Sequence, residues 1–230
     1  MNWIEVIPGL HRTDYSTSTK LHSNAALISL GDGKLAVVSP PQGADDALFA
    51  ETDKLGKVVA LIAPNSGHDL GQAAWQARYP QASVHAPEVT AKAIAKAKPK
   101  LKPFEPMAAL ATPSNVQFVD LPGTSSGAVA VVVEGGGKRA IVVDDCLSNS
   151  PKLVGPAPVR FVFWLTGSGP GLARNKVWWS VFCKDKKGYA KALLEAWDRG
   201  VIDVVLPLHG DEIRGEPIAT ARGFIASMST

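Results

Sequence analysis

The sequence predicts an α/β (α+β) protein in which two sheets pack face to face and helices cover their outer sides. Each half of the chain begins with an antiparallel hairpin and continues with strand–helix–strand units, an order typical of layered folds. Gly31-Asp32-Gly33 predicts the first hairpin turn, and Gly135-Gly136-Gly137 predicts the second. The 230 residues are 46% apolar, which suffices for a core, and we expect a single domain over residues 1–230.

The first half alternates apolar runs with segments of helical spacing. The predicted strands are Trp3–Leu10, Leu21–Leu30, Lys34–Ser39, Val58–Ala63 and Ser83–His85. The predicted helices are Asp45–Leu55, a segment from Asp69 that Pro80 ends, and Pro87–Ala97.

The second half repeats this organisation. The predicted strands are Val116–Leu121, Ala128–Glu134, Ala140–Asp144 and Val201–Leu208, and Asp185–Arg199 is the predicted helix. The apolar segments Val159–Leu165 and Trp178–Phe182 fit either a strand or a mixed structure, because a short apolar run does not separate the two.

Composition excludes several classes of protein. A net charge of +3 does not predict a nucleic-acid partner, and the lysines of residues 92–102 fit the solvated face of a helix. Cys146 and Cys183 form no C-x-x-C pair, so neither a disulfide framework nor a thiolate zinc site is expected. The chain shows no signal-peptide pattern and no apolar run of about 20 residues, so we expect a cytoplasmic protein without a membrane partner.

Polar residues follow three of the predicted strands. His68 and Asp69 come after Val58–Ala63, Asp145 comes after a strand of the second half, and His209 follows the last strand. Ligands and chemistry in α/β proteins commonly lie beyond the carboxyl ends of strands. We therefore expect these four side chains at one edge of the sheets.

The order of these elements and motifs resembles the metallo-β-lactamase superfamily from about Ile4 to about Ile213. The motifs are His68-Asp69 before a helix, a Pro-Gly-Thr loop, Asp-Asp-Cys-Leu after a hairpin, and Leu-Pro-Leu-His-Gly-Asp near the end. The resemblance implies an αββα four-layer sandwich. It also implies a site for one or two metal ions, usually zinc, that activates water for hydrolysis.

The match to the superfamily's H-x-H-x-D-H metal loop is partial. Asp69 aligns with the aspartate of that loop, and His68 then occupies a spacer position. Asn65 and Gly67 stand where the two leading histidines are expected, and Leu70 replaces the last one. The loop therefore keeps one family ligand and adds one histidine beside it.

The other motif positions are also mixed. Thr124 replaces the histidine of the Pro-Gly-His loop, and Ser39 replaces an aspartate that usually ends an early strand. Asp145 matches the bridging aspartate, and His209 matches the final histidine. The pattern Pro64-Asn65-x-x-His68 with later Trp and Tyr-Pro resembles a branch of bacterial and plant proteins that carries no established activity and keeps a histidine at the position of His68.

Two functions follow from this resemblance. In the first, one zinc, iron or manganese ion is bound by His209, Asp145 and either His68 or Asp69, and Asp69 is the general base in hydrolysis of an ester, lactone, amide or thioester. A dinuclear zinc site is not expected, since four family histidines are replaced. In the second, the chain is a non-catalytic, metal-free descendant that binds a small molecule or a partner in the same cleft.

A third alternative is a serine hydrolase. Residues 123–127 satisfy G-x-S-x-G, with Ser125 as the nucleophile, and an aspartate (Asp145 or Asp203) and His209 follow in the chain order of α/β-hydrolases. That motif requires a strand, a sharp turn and a helix around the serine. The residues after Gly127 predict a strand, which argues against this alternative.

Overall fold

Two sheets lie face to face in the computed structural model of the chain, which describes residues 1–16, 22–153 and 155–229. The first sheet contains, in this order, β1 (Ile4–Ile7), β2 (Leu10–Ser16), β3 (His22–Ser29), β4 (Lys34–Val38), β5 (Lys57–Ile62) and β6 (Ser83–His85). Strands β1 to β4 are antiparallel, whereas β4, β5 and β6 run parallel to one another.

The second sheet has the spatial order β13-β12-β9-β8-β7. Its strands are β7 (Val116–Asp120), β8 (Val129–Gly135), β9 (Lys138–Val143), β12 (Val204–Pro207) and β13 (Ile213–Arg214). Only the pair β9 and β12 is parallel within this described sheet. A separate two-stranded ribbon joins β10 (Leu147–Ser150) to β11 (Gly171–Arg174).

Helices cover the outer sides of both sheets, except for α4, which buries none of its residues. Those of the first half are α1 (Asp46–Leu55), α2 (Gln72–Arg78) and α3 (Glu88–Ala97), and those of the second half are α4 (Ala157–Thr166), α5 (Lys176–Val181), α6 (Lys186–Trp197) and α7 (Pro217–Ala226). Side chains of α1 and α2 pack on the first sheet, and side chains of α5, α6 and α7 pack on the second. In the described part of the chain, every helix is too short or too polar to cross a bilayer.

The alternation of side chains along a strand produces the four layers. In β9, Ala140 and Val142 point between the sheets, whereas Ile141 and Val143 pack against the helices. Strand β3 divides its apolar residues in the same way between the two sides of the first sheet. The predicted αββα sandwich is therefore confirmed.

The first predicted strand is longer than the strand that forms. Trp3–Leu10 is interrupted at Pro8-Gly9, where the chain turns from β1 into β2, and Gly9 has a φ of 87° that favours glycine. The strand predicted over Leu21–Leu30 corresponds to β3, and Leu21 lies outside the described residues.

The two apolar segments left open by the sequence are helical. Val159–Leu165 lies within α4, which has a proline in its first turn. Most of Trp178–Phe182 lies within α5, whose first turn is capped by the Asn175 side chain accepting a hydrogen bond from the Trp178 amide at 3.1 Å. Val, Phe and Trp favour strands by propensity, so the proline at the start of α4 and the Asn175 cap of α5 indicate the helices better than composition does.

Candidate metal centre

Three side chains from distant parts of the chain meet at one edge of the sandwich. Among the described residues, His68, Asp145 and His209 form a group whose potential ligand atoms all lie within 4.8 Å of one another. The Nε2 atoms of both histidines lie 3.0 Å from the same oxygen, Oδ1 of Asp145. The group consists of two imidazoles and one carboxylate that converge on a point.

Strand register explains why these residues meet. Strands β9 and β12 are parallel with Val143 opposite Pro207, and Asp145 and His209 each follow two residues later. His68 lies in the loop after β5, which is parallel to β4 in the first sheet. The carboxyl ends of all four strands lie at the same edge, as expected for parallel neighbours.

Contacts between the two sheets fix the position of His209. Asn24 of β3 donates from its amide to the carbonyls of Pro207 and Gly210, at 2.8 and 2.6 Å. Gly210 has a φ of 93°, and a Cβ there would lie 2.3 Å from the backbone of Asn149. The turn that carries His209 is therefore held from both sides, and one of its residues has to be glycine.

The loop that carries His68 is held just as closely. A Cβ at Gly71 would lie 2.2 Å from the carbonyl oxygen of Pro40, so the loop passes directly over the end of β4. The Gly67 amide donates to Oδ1 of Asn65 at 2.8 Å, which closes a short turn before His68.

Each histidine is oriented through its second ring nitrogen. His209 Nδ1 donates to the carbonyl of His22 at 2.7 Å, and since a carbonyl only accepts, that nitrogen carries a hydrogen. His68 Nδ1 lies 2.8 Å from Ser39 Oγ, which in turn lies 2.9 Å from the hydroxyl of Tyr15. Such contacts leave both Nε2 atoms directed at the centre, as in metal sites where the outer nitrogen sets the ring orientation.

The Ser39 and Tyr15 hydroxyls can adapt to either tautomer of His68. A hydroxyl both donates and accepts, so the sequence Tyr15, Ser39, His68 can be hydrogen-bonded in either direction. With Nδ1 as acceptor, Nε2 carries the hydrogen and donates to Asp145; with Nδ1 as donor, Nε2 is free for an ion. Burial raises the pKa of Tyr15 to about 12, so its hydroxyl stays protonated.

Asp145 is the centre of this network. Its Oδ1 accepts from both histidines, and its Oδ2 accepts from the side-chain amide of Asn65 at 3.1 Å. Burial acts to raise the pKa of Asp145, but the charge and hydrogen bonds of His68 and His209 outweigh it and hold the pKa well below the usual range. The carboxylate is thus ionised across the physiological range.

The pKa of His209 is shifted in the opposite direction. Burial acts to lower it, but the hydrogen bond and the negative charge of Asp145 outweigh burial and raise it. Because Nδ1 already donates to a carbonyl, the added proton lies on Nε2, facing Asp145. A metal ion at the centre would take the place of that proton.

The neighbouring Asp144 has an entirely different environment. It is fully buried and accepts hydrogen bonds at Oδ1 from the Tyr189 hydroxyl and from the Cys146 amide. Burial and the charge of Asp145 raise its pKa to about 7. Of the two consecutive aspartates, Asp145 is the one with the charge and position of a ligand.

Three solved structures are similar to this chain over nearly its whole length. The DIM-1 metallo-β-lactamase, in a crystal exposed to ceftazidime, is 13% identical and matches over 98% of this chain and 96% of its own, with a TM-score of 0.64. The metallo-β-lactamase FIM-1 from Pseudomonas aeruginosa, in its mono-zinc form, is 14% identical over 99% and 95%, with a TM-score of 0.56. The chain has the metallo-β-lactamase fold. The metal-soaked Flv1 flavodiiron core from Synechocystis sp. PCC6803 is 12% identical over 99% of this chain and 60% of its own, with a TM-score of 0.65.

At these identities the likeness establishes the fold, whereas the activity has to be argued from the site. The sequence itself matches no protein-family model and no curated protein.

Within the metallo-β-lactamase fold, the structure brings together three of the four ligands predicted from the sequence. Asp69 lies apart from the group: its Oδ2 pairs with Lys98 Nζ at 2.9 Å, and the same ammonium donates to the Asp69 carbonyl at 3.3 Å. The role of Asp69 as ligand or general base therefore stays a prediction. Lys98, which the sequence assigned to a solvated helix face, neutralises a buried carboxylate.

Ser125 lies outside the candidate metal centre. Its amide and hydroxyl both donate to the carbonyl of Phe182, at 2.8 and 3.2 Å, and its loop joins the antiparallel strands β7 and β8. The strand–turn–helix that a serine nucleophile requires is not formed there.

Sequence reasoning missed the partners that orient the ligands. Ser39, Asn65 and Tyr15 were not predicted to act in the site, and neither was the carbonyl of His22. Two of them had a signal in the resemblance, because Asn65 aligns with a ligand histidine of the metal loop and Ser39 aligns with an aspartate that usually ends an early strand. Tyr15 and the His22 carbonyl carry no motif and needed the fold.

The group fits a single metal ion in the metallo-β-lactamase fold. Around a tetrahedral zinc with bonds of about 2.1 Å, ligand atoms lie about 3.4 Å apart. The observed separations of 3.0 Å to Asp145 and at most 4.8 Å overall bracket this value. Two imidazoles and a carboxylate also match the donor set of catalytic sites that keep an open position.

Proposed function

We propose that the chain is a hydrolase-like protein that binds one metal ion through His68, Asp145 and His209. The observation that carries the proposal is the convergence of two oriented Nε2 atoms on one carboxylate oxygen. A bound ion of this kind supplies Lewis acidity and lowers the pKa of water to near 7. The reaction class is hydrolysis of an ester, lactone, amide or thioester in a small-molecule substrate.

The residues of the chain have distinct tasks in this proposal. Ser39 and the His22 carbonyl hold the two imidazoles in the ligating orientation. Asn65 holds Oδ2 of Asp145, which leaves Oδ1 directed between the two histidines. Three protein ligands leave a fourth position open for substrate or solvent.

The donor set supports three candidate ions. Imidazole and carboxylate suit zinc, iron and manganese, whereas neither Cys146 nor Cys183 belongs to the group of His68, Asp145 and His209. The names of the similar structures, a mono-zinc enzyme and a flavodiiron core, support zinc or iron at this place in the fold. We propose one ion rather than two because the positions of four superfamily histidines are occupied here by Asn65, Gly67, Leu70 and Thr124.

Asp69 is proposed as general base rather than as ligand. Its carboxylate pairs with Lys98 and stands outside the group of three, although it is adjacent to His68 in the chain. A role in proton transfer requires its carboxylate to exchange Lys98 for a substrate or a water. Asp69→Asn should therefore retain the metal and lose hydrolysis.

A metal-free binding protein is the second candidate, and one observation favours it. Three side chains satisfy the Asp145 carboxylate without an ion. Beside them lies a cavity lined by His22, Ser148, Lys152, Phe163 and His209, among others, which offers apolar and cationic contacts to a small ligand.

Metal analysis of the purified chain separates the two candidates. We expect about one ion per chain after supplementation with zinc, iron or manganese, with loss of the ion in His68→Ala and in His209→Ala. His11→Ala is the matched control, because His11 lies in β2 away from the group and should leave the metal content unchanged. Chelation should lower the melting temperature of the loaded protein.

Two results would contradict the proposal. One is a chain that takes up no metal under any of the three supplements and melts at the same temperature with and without chelator. The other is a metal content that survives both histidine variants, which would place the ion elsewhere.

A further inference from the structure

Helix α4 presents large apolar side chains to solvent. None of its residues is buried, and Trp164 and Leu165 are 63% and 66% exposed, with Phe161 and Val162 also exposed. The rings of Phe161 and Trp164 pack on each other with centroids 6.1 Å apart. A cluster of this kind on one helix is unusual for a surface that faces only water, and such patches mark interaction sites.

Hydrogen bonds to the neighbouring helix α5 fix the position of α4, so its apolar cluster belongs to an ordered surface. The Ser168 amide donates to the carbonyl of Phe163 at 2.8 Å, and the Ser168 hydroxyl accepts from the Lys176 amide at 3.1 Å. Ser168 thereby ties the end of α4 to the start of α5. At the end of α5, Val181 and Phe182 are also exposed.

Residues 151–187, the segment that contains this apolar surface, are rich in basic side chains. Residues 151–187 contain one acidic residue, Asp185, and seven basic ones: Lys152, Arg160, Arg174, Lys176, Lys184, Lys186 and Lys187. All except Arg174 are exposed, and Lys176 Nζ lies beside Gly167, the cap of α4. The segment is thus more positive than the whole chain, whose net charge is +3.

We infer that α4 docks this protein on the surface of a membrane that contains anionic lipid. Interfacial helices combine Trp, Phe and Leu on the buried side with Lys and Arg around them. Here α4 supplies the aromatic residues and Leu165, and most of the basic residues lie in the flanking parts of residues 151–187. The aromatic rings and Leu165 would enter the boundary between headgroups and acyl chains, while the lysines contact the headgroups. The inference departs from the sequence-based expectation of no membrane partner, which rested on the lack of a spanning segment; this mode of binding does not need one.

Charge favours a membrane over a second copy of the chain. Two copies joined through α4 would bring two strongly basic segments together, and like charges across an interface disfavour association. An anionic lipid surface has the complementary sign and attracts each basic residue near it. The inference is independent of the metal site, since none of the α4 side chains belongs to the group of His68, Asp145 and His209.

Vesicle sedimentation tests the inference directly. The full chain is mixed with vesicles of phosphatidylcholine alone, or of equal parts phosphatidylcholine and phosphatidylglycerol. We expect binding to the anionic vesicles to exceed binding to the neutral ones by on the order of tenfold or more, and to weaken as salt is added.

The fluorescence of Trp164 can report on membrane binding. The other five tryptophans are each 6% exposed or less, so a shift of emission to shorter wavelength on adding anionic vesicles would come from Trp164. Trp164→Phe keeps an aromatic ring at this position. It should abolish the emission shift while sedimentation with the vesicles persists.

A triple variant, Phe161→Ser with Trp164→Ser and Leu165→Ser, removes the apolar surface. Because the three side chains are exposed, the variant should fold normally, and its vesicle partition coefficient should fall on the order of a hundredfold. Val201→Ser is the matched control, as Val201 is 84% exposed but lies outside the segment.

Three results would overturn the inference. The first is equal or no binding to the two vesicle types, and the second is vesicle binding that the triple variant leaves intact. The third is a concentration-dependent dimer in sedimentation velocity that the triple variant abolishes, because α4 would then join two copies of the chain.

Discussion

We expect Asp145→Asn to lower the unfolding free energy of the metal-free chain more than any other substitution at the candidate centre. The carboxylate offers two acceptor oxygens to three donors: the Nε2 atoms of His68 and His209 at 3.0 Å, and the Asn65 amide at 3.1 Å. An amide at this position offers one acceptor only. With its oxygen toward the histidines, its NH₂ group faces the N–H donor of Asn65; with its NH₂ group toward them, both histidines have to give up the hydrogen on Nε2. In either orientation the negative charge that pairs with His209 is gone.

The expected cost is about 2–4 kcal/mol of unfolding free energy. Hydrogen bonds to a charged group contribute about 1.5–3 kcal/mol each and neutral ones about 1 kcal/mol, so weakening two of them accounts for most of this loss. The Asp145 and His68 side chains are only 17% and 3% exposed, so solvent replaces little of what is lost. The unpaired imidazolium of His209 adds to the cost.

The cost should depend on pH with a definite sign. The folded pKa of His209 is raised, so its pairing with Asp145 is fully present below the unfolded pKa of about 6.5 and is lost as pH rises through the folded value. The folded pKa of Asp145 is lowered, so its contribution is present above about pH 4 and is lost only as pH falls through the folded value. Asp145→Asn should therefore cost most near pH 6 and less near pH 9.

Urea unfolding in the presence of a chelator measures this cost at the two pH values. Asp53→Asn is the matched control, because Asp53 pairs with Arg78 on the surface and should cost less than about 1 kcal/mol at both. A cost for Asp145→Asn no larger than that of the control, or a cost that grows toward high pH, would refute the reasoning.

Two further substitutions test the surroundings of the centre. Ser39→Ala removes the partner of His68 Nδ1, and calorimetric titration with zinc should show an affinity about 10- to 100-fold lower; unchanged affinity would mean that the hydroxyl does not orient the ring. Lys98→Met leaves the buried Asp69 carboxylate without its cation and should cost about 1 kcal/mol in urea unfolding, a modest value because Lys98 is partly exposed. The exposed Lys100→Met should cost nothing measurable, and an equal effect of the two lysine variants would exclude a specific pair with Asp69.

Much of the fold and part of the site followed from the sequence because both depend on local patterns. Hairpin turns and apolar runs located the strands, and polar residues directly after strands pointed to Asp145 and His209. Parallel pairing of β9 with β12 places those two residues at the same edge, because each lies two residues beyond the paired Val143 and Pro207. His68 was also correctly placed near them, since its loop follows a parallel strand of the other sheet.

The features that the sequence did not predict depend on contacts between remote segments. The pairing of Asp69 with Lys98 required the end of α3 to lie over the His68 loop, and periodicity along α3 contains no such information. The helical state of Val159–Leu165 was missed because its apolar residues face solvent, so no amphipathic pattern develops. The orienting carbonyl of His22 has no side-chain signature at all.

The His209 turn has a consequence for the order in which the molecule assembles. It is held by Asn24 and by the carbonyl of His22, and the contact to His22 spans 187 residues of chain. Contacts of such long sequence separation form late, when the two sheets already lie against each other. A ligand bound at this junction would therefore stabilise contacts that form only after the two sheets have packed. It should slow unfolding and leave the folding rate nearly unchanged.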